Sequence, residues 1–268
     1  MTELKAFLDQ QVDRYNQSSF ILDDPISIPH RFIDQLQDLE ITAFWTAMLS
    51  WGLRKTIINK STDLFELMDN APFDFIMNHK ESDLLRFQPW KHRTFLYTDT
   101  LYFIHFFRWF YASHRSLETA FTRFMKEGDE NVKNAITGFH EFFFSLDDAP
   151  LRTKKHVSTP ARKSSCKRLN MFLKWMVRKD LSGVDFGVWQ HIKPHQLVIP
   201  LDVHVEKVAR KTGLLKRKNR DWQAAEEITN ALKIFDPKDP VKYDYALFGI
   251  GHAERHFGKK GMDEDLPG

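Results

Sequence analysis

The sequence predicts an all-α protein, and three observations point to that class. Apolar side chains recur at spacings of three and four residues in nearly every segment, which is the period of an α-helix. No segment shows the alternation of apolar and polar residues that is typical of a half-buried strand. Capping residues, glycines and prolines stand where the periodic segments begin and end. We therefore expect a compact protein of about ten helices.

The predicted helices follow one another along the chain. They are Glu3–Tyr15, Ile41–Trp51, Lys55–Met68, Leu101–His114, a helix from Asn131 to Phe144, Ser164–Lys179, Val203–Lys211, Trp222–Lys233, and a last helix that starts after Asp239-Pro240 and ends at Gly249-Ile250-Gly251. The segment Ile41–Trp51 is almost wholly apolar, which predicts a central buried helix. Asp99 and Asp221 each precede a helix and are predicted to cap it.

Composition limits the class of protein. Hydrophobic residues make up 42% of the 268 residues, and 24 of these are phenylalanine, so the chain can bury a core. The single cysteine, Cys166, excludes an intrachain disulfide and a four-cysteine iron–sulfur or zinc site. The 12 histidines show no zinc-ligand spacing, so we expect no metal and no cofactor. Without a secretory signal or an apolar run of bilayer length, the protein is expected to be cytoplasmic, with no membrane contact.

Positive charge is concentrated in one stretch. The chain has a net charge of only +3, yet the residues from Arg152 to Arg168 include seven lysines and arginines and no acidic residue. Such a block is either a solvated loop or a surface for phosphate groups. The sequence leaves both interpretations open.

Asp202 stands immediately before the helix Val203–Lys211. A carboxylate at that position can accept hydrogen bonds from the unpaired amides of the first turn and so cap the helix. It also fixes a negative charge at one place, which acid–base chemistry requires. The structural and the catalytic interpretation need the same residue and are compatible.

Lys167 is the second candidate. It lies in the first predicted turn of Ser164–Lys179, away from the apolar stripe of that helix and at the end of the basic stretch. Positive potential at a helix N-terminus favours the neutral, nucleophilic form of an amine. The alternative is an ordinary surface lysine.

Together these residues resemble a known superfamily. Lys167 in its helix, followed thirty-five positions later by Pro200-Leu201-Asp202-Val203-His204-Val205, looks like the helix-hairpin-helix DNA glycosylases, which include endonuclease III. The run Lys167–Met176 is similar to the archaeal oxoguanine DNA glycosylases. The resemblance extends from about Thr42 to Gly251, and the whole chain also looks like a bacterial family without an established activity.

The resemblance implies a two-lobed helical fold of the helix-hairpin-helix glycosylase type and a function in DNA repair by base excision. The enzyme would be an N-glycosylase with lyase activity that flips a damaged base, either an oxidised base or one with another lesion, out of the duplex. Lys167 would attack the sugar carbon, and Asp202 would deprotonate Lys167 or stabilise the cationic sugar. His204 would orient Asp202 or simply pack.

The resemblance also implies a binding surface for double-stranded DNA that contains a lesion, and a monomeric protein. The residues expected to contact DNA are Arg162, Lys163, Ser164, Ser165 and Arg168, and those expected near the flipped base are Trp175, Phe186 and Trp189. The stretch Thr159–Ser165 has no glycine where the superfamily usually has a glycine-containing turn. Either its cations and serines replace those contacts, or DNA is not held in this way.

The expected organisation is one unit, residues 1–268, made of two lobes. Lobe A comprises about 41–180, and lobe B combines 1–40 with 185–268; the cleft between them is expected to hold Lys167 opposite Asp202. Two other functions are compatible with the same sequence. One is a non-catalytic helix-hairpin-helix protein that binds DNA or RNA, and the other is a helical protein-interaction module.

Overall fold

The computed structural model describes residues 2–257, and the regular elements among these residues are all helices, with no β-strand. Short 3₁₀ turns connect several of the helices. The α-helices are α1 (Thr2–Tyr15), α2 (Ser18–Ile21), α3 (Leu36–Leu49), α4 (Arg54–Glu66), α5 (Pro72–Asn78), α6 (Tyr97–Tyr111), α7 (Glu118–Thr122), α8 (Lys133–Phe143), α9 (Lys167–Val177), α10 (Val203–Lys211), α11 (Trp222–Phe235) and α12 (Asp244–Phe257). The predicted all-α class is confirmed.

The chain divides into two compact units. The terminal unit comprises the N-terminal segment up to Phe20, the short segment Glu127–Lys133, and the chain from Thr159 onward; the central unit comprises Ile21–Lys126 and Asn134–Ser158. Hydrogen bonds hold the short segment in the terminal unit, since the Val132 amide donates to the Gln196 carbonyl over 3.0 Å.

These units differ in their bounds from the expected lobes. Residues 21–40 lie in the central unit, and α9 with Lys167 lies in the terminal unit together with Asp202. Within the terminal unit, α9 is joined to α12 by the ion pair of Lys174 with Asp244. Both candidate catalytic residues therefore belong to one unit.

Local signals place the helices of the terminal unit well. The predicted helix Val203–Lys211 has those bounds in the structure. Asp221 caps α11 as expected, because its Oδ1 accepts a hydrogen bond from the Ala224 amide over 3.1 Å.

The last helix corrects a prediction. The side chain of Asp239 does not cap a helix: the residue precedes a 3₁₀ turn, Pro240–Tyr243, and α12 begins after that turn. The glycines expected to end α12 lie inside it instead. A Cβ on Gly249 would lie 2.3 Å from the ring of Tyr15 in α1, and one on Gly251 would lie 2.8 Å from the carbonyl oxygen of His204 in α10. These glycines permit close helix packing and do not stop the helix.

Aromatic side chains form the core of the central unit. Helix α3 is buried on all sides from Leu39 to Leu49, as predicted for a central helix. Its Phe44 ring lies with its centroid 5.6 Å from that of Phe107 and 5.6 Å from that of Phe139, both edge-to-face. Each such aromatic pair contributes about 0.5–1.5 kcal/mol beyond the area that it buries.

Asp99 is a second correction, because it lies within the first turn of α6 and not before it. Its buried carboxylate accepts hydrogen bonds from the Leu96 amide at 2.7 Å and from Thr153 Oγ1 at 2.7 Å, and it also pairs with Arg152. His156 Nε2 lies 3.4 Å away. The carboxylate thus ties α6 to the segment 151–156 within the central unit.

This environment predicts a pH dependence of stability. Burial raises the pKa of Asp99, but hydrogen bonds from His156, the Leu96 amide and Thr153 outweigh it and lower the pKa from 3.8 to about 2. A lowered pKa stabilises the fold above pH 3.8, and that contribution is lost as the pH falls towards 2.

We therefore expect the free energy of unfolding to fall by about 2 kcal/mol across this window through Asp99 alone. Urea denaturation at several pH values measures it. Asp99→Asn should remove this part of the pH dependence; an unchanged profile in the variant would contradict the assignment.

Within residues 2–257, none of the helices is both long enough and apolar enough to cross a lipid bilayer.

Candidate functional site

The backbone before α9 makes two left-handed turns without glycine. Lys163 has φ 58° and Cys166 has φ 51°, and the helix begins at Lys167, three residues later than predicted. Non-glycine residues adopt this region at a cost of about 1 kcal/mol or more, so the surrounding contacts must fix it. The turn places Lys167 in the first turn of α9, as expected, and the residue is half-buried.

Side chains hold this segment in place. Ser164 Oγ accepts a hydrogen bond from the Cys166 amide at 3.1 Å, and Asn170 Nδ2 donates to the Ser165 carbonyl at 3.0 Å. Ser165 Oγ donates over 3.5 Å to the carbonyl of Leu201, the residue before Asp202. The two segments that carry the candidate residues are therefore neighbours at this point.

Asp202 caps α10 with one oxygen only. Its Oδ1 accepts hydrogen bonds from the His204 amide at 2.8 Å and from the Val205 amide at 3.0 Å. Both cap bonds go to Oδ1, which leaves the second carboxylate oxygen outside the cap. The predicted cap is confirmed, and a half-buried anion stands at a fixed position.

The ring of His204 is bound to α12. Its Nδ1 lies 3.0 Å from the Gly251 carbonyl, and the ring packs edge-on against Phe248 at a centroid distance of 5.6 Å. Of the two roles considered for His204, packing fits this geometry, since it is the backbone amide and not the ring that bonds Asp202.

A buried ion pair lies beside these residues. Asp244, the first residue of α12, accepts a hydrogen bond from Lys174 Nζ in α9 over 2.6 Å, and both residues are buried. Lys174 Nζ also lies 3.7 Å from the centroid of the Tyr245 ring. Burial of a lysine in this way requires a paired anion, and Asp244 supplies it.

Asp244 also brings Lys167 and Asp202 into one electrostatic neighbourhood. Burial raises the pKa of Asp244; Lys174 and Lys167 act to lower it, and Asp202 acts to raise it further. Charges influence a carboxyl group in this way only when they are close to it. The segments of Lys167 and Asp202, which are separated by thirty-four residues of chain, adjoin at the hydrogen bond from Ser165 to Leu201, and both charges act on the pKa of the same buried carboxylate.

A second set of buried charges continues from this pair along α9. Arg178 Nη1 donates to Asp185 Oδ2 at 2.5 Å, and its Nε donates to Asp239 Oδ2 at 2.8 Å. Tyr245 donates its hydroxyl hydrogen to Asp185 Oδ1 at 2.9 Å. Burial raises the pKa of Asp185 although Lys174 and Arg178 oppose it, and the pKa of Arg178 is raised because Asp185 and Asp239 outweigh its burial.

The sequence analysis did not single out Lys174, Arg178 or Asp244. Lys167 and Lys174 lie seven residues apart on one face of α9, and Arg178 is the first residue after that helix. That face lies opposite the apolar stripe, and in the structure it is covered as well. The sequence signal that could have indicated buried partners is the helical spacing of these cations opposite the apolar stripe.

The remaining residues predicted to contact DNA or the base differ in exposure. Arg162 and Lys163 are exposed, whereas burial lowers the pKa of Arg168 to about 10. Trp175 and Trp189 are buried, and Trp189 packs edge-on against Phe172 at 5.2 Å. Phe186 is half-buried, and its amide donates to the Trp175 carbonyl at 2.8 Å. Their roles at a base remain predictions.

No group of three or more histidine, cysteine, aspartate or glutamate side chains in the described part of the chain is arranged to hold a metal ion.

Comparison with known proteins gives a family. A family model described as "Protein of unknown function (DUF2400)" matches residues 24–253. No curated protein and no solved structure matches the chain.

The family match contradicts the predicted superfamily. Assignment to the helix-hairpin-helix DNA glycosylase superfamily is wrong, because the family that covers residues 24–253 is a different one and its description assigns no activity. The motif around Asp202 is short, and a helix cap followed by alternating valines forms for structural reasons alone.

Proposed function

The chain belongs to the DUF2400 family, and we propose that it is a DNA N-glycosylase with lyase activity that removes a damaged base through Lys167 and Asp202. The observation that carries the proposal is the hydrogen bond between Ser165 and the Leu201 carbonyl, which joins the segments of both residues within the terminal unit; both charges also act on the buried carboxylate of Asp244. An amine and a carboxylate on adjoining segments can share one proton, which is what amine nucleophiles require.

Lys167 is a better nucleophile than Lys174. The ammonium of Lys174 is buried, lies 2.6 Å from Asp244 and faces the Tyr245 ring, so it is fully engaged. Lys167 is half-buried at the first turn of α9, where the helix N-terminus contributes positive potential.

The charge around the site favours a nucleic acid as substrate. Exposed Lys163 and Arg162 lie four and five residues before Lys167, and residues 159–168 of the terminal unit contain four lysines and arginines and no acidic residue. Within a nucleic acid, the carbon at which an amine can form an imine is C1′ of the sugar, once the base has left. Amine chemistry and a polyanionic substrate together point to cleavage of the bond between base and sugar.

The proposed step can be written with its atoms. The neutral amine of Lys167 attacks C1′, and the bond between C1′ and the base nitrogen breaks, with its electron pair leaving on the base, which takes up a proton. The attacking amine releases a proton to Asp202. The sugar ring then opens as O4′ leaves C1′ and is protonated, which gives an iminium between C1′ and Nζ. In the lyase reaction, C2′ of this iminium would lose a proton to a base, a double bond would form between C2′ and C3′, and the C3′–O bond would break with its electron pair leaving on the 3′ phosphate.

Asp202 has a second role in this scheme. Its oxygen outside the cap would face positive charge that develops on the sugar, and its capping bonds keep the carboxylate from turning away. A rigid anion costs little reorganisation during the reaction.

Reductive trapping tests the proposal. Borohydride reduces the iminium to a stable amine, so wild-type protein incubated with duplex DNA that contains an abasic site or an oxidised purine should give a covalent adduct. Lys167→Gln should give none. Lys179→Gln, which removes an exposed lysine just after α9, should trap as the wild type does.

Absence of an adduct with the wild type on every substrate would reject the enzyme and leave the non-catalytic nucleic-acid-binding alternative. An adduct that persists in Lys167→Gln would reject Lys167 as the nucleophile.

A further inference from the structure

Positive charge is also dense at the far end of α10. Residues 206–221 contain seven lysines and arginines and two carboxylates, so this segment alone has a larger net charge than the +3 of the whole chain. We call Arg210–Arg220 the basic turn. Like charges this close repel one another and weaken the fold unless something offsets them.

The basic turn is rigidly built. Leu214 and Leu215 are buried, and the Leu215 amide donates to the Ala209 carbonyl at 3.0 Å. Arg210 Nη2 donates to the carbonyl of Lys218 at 3.0 Å, which closes the turn onto α10. The positions of the exposed residues are therefore fixed by buried neighbours.

The two carboxylates within residues 206–221 both bind arginines of the basic turn. Glu206 Oε1 accepts from Arg210 Nε at 3.1 Å and from Arg210 Nη2 at 2.8 Å, while Asp221 accepts from Arg217 through both oxygens, at 2.8 and 2.6 Å. These acids orient the arginines and brace the loop. Glu227 lies next to the turn and accepts from the Lys216 amide at 2.7 Å, so it too binds backbone.

Lys216 and Lys218 are exposed on this frame. The flanking carboxylates of Glu206 and Asp221 bind arginines of the basic turn. A solvated lysine carries a compact positive charge that is suited to phosphate oxygens. Counterions released from a polyanion would offset the crowding of positive charge.

We propose that the basic turn binds the phosphate backbone of duplex DNA. Helix α10 has nine residues and spans roughly 14 Å from its cap Asp202 to the turn. A strand whose sugar lies beside Asp202 would bring neighbouring phosphates within reach of Lys216 and Lys218. The choice of DNA as the polymer rests on the proposed function; the surface itself rests on the charge and geometry of the turn.

Salt-dependent binding tests this surface. The probe is fluorescently labelled duplex DNA, and the variant is Lys216→Gln with Lys218→Gln. Each lost phosphate contact lowers the slope of log affinity against log salt by about 1, so the double variant should lose roughly 2 in slope and bind more weakly at every salt concentration. The charge-matched control is Lys179→Gln with Lys238→Gln, which removes two exposed lysines elsewhere in the terminal unit and should keep the wild-type slope.

Borohydride trapping in the same samples separates the two proposals. If the double variant loses slope while wild type gives no adduct, the surface stands and the glycosylase proposal fails. The surface is rejected if the Lys216 and Lys218 double variant binds DNA as the wild type does. It is also rejected if the Lys179 and Lys238 control loses as much salt slope as that variant. Either result holds regardless of the trapping. A double variant that binds DNA normally but loses binding to anionic lipid vesicles or to RNA would also reject it.

Discussion

Arg178→Met is expected to lower the free energy of unfolding by about 3–5 kcal/mol. The guanidinium of Arg178 is buried and contacts three carboxylates, those of Asp180, Asp185 and Asp239. Methionine fills a similar volume but leaves these anions in a buried place without their cation. Removal of one partner from a buried ionic cluster costs far more than the cluster contributes relative to apolar side chains.

The loss should depend on pH in a known direction. Burial already raises the pKa of Asp185, and Arg178 is one of the charges that oppose the rise. Without Arg178 the pKa of Asp185 rises further, so the folded variant takes up a proton more readily than the unfolded chain. Stability of the variant therefore recovers as the pH falls, and the difference from the wild type narrows in acid.

Urea denaturation at neutral and acidic pH provides the measurement. Arg86→Met is the matched control, because Arg86 pairs with the exposed Asp69 at 3.0 Å and its loss should cost less than about 1 kcal/mol. Arg178→Met with Asp185→Asn should recover part of the loss, since one buried anion is gone. A loss below about 1 kcal/mol for Arg178→Met would mean that the carboxylates are solvated after all.

Asp202→Asn is expected to keep the fold and to reduce turnover by about 10²–10⁴-fold. Asparagine has a side-chain carbonyl oxygen that can accept the same hydrogen bonds from the His204 and Val205 amides, and it caps helices as well as aspartate does. The stability change should stay within about 0.5 kcal/mol. What is lost is the negative charge that accepts the proton of Lys167 and faces the sugar.

Single-turnover base release, measured beside urea denaturation, separates the two effects. Asp24→Asn is the control: Asp24 caps a 3₁₀ turn in the central unit through the Ile26 amide at 3.1 Å, and the variant should keep full turnover. An Asp202→Asn protein that unfolds would show that the residue is structural. One that stays fully active would show that its charge is not used in catalysis.

Helix positions followed from the sequence because their causes are local. Asp202 and Asp221 cap the helices after them, and the periodic valines and alanines of α10 set its bounds. Where a residue typical of a helix start also binds a distant segment, the local prediction was wrong or incomplete. Asp239 makes no cap bond, and its carboxylate binds Arg178. Asp99 lies inside its helix, where it accepts the Leu96 amide, and it also binds Arg152.

The glycines of α12 show the same limit. Gly249 and Gly251 look like a helix end in the sequence, because glycine favours one. In the structure they are contact points, where Tyr15 and the backbone of His204 come too close for a Cβ. Whether such a glycine ends a helix or permits close packing depends on a neighbour that is more than forty residues away, and no local pattern contains that information.

The sequence by itself determined the all-helical class, the cap at Asp202 and the position of Lys167 at the start of its helix, since hydrogen bonding and hydrophobic period act over a few residues. Only the tertiary structure decided that the segments of Lys167 and Asp202 adjoin and that Lys174 and Arg178 are buried. Burial of charge requires a specific partner at hydrogen-bond distance, and partners distant in sequence meet only when the helices pack.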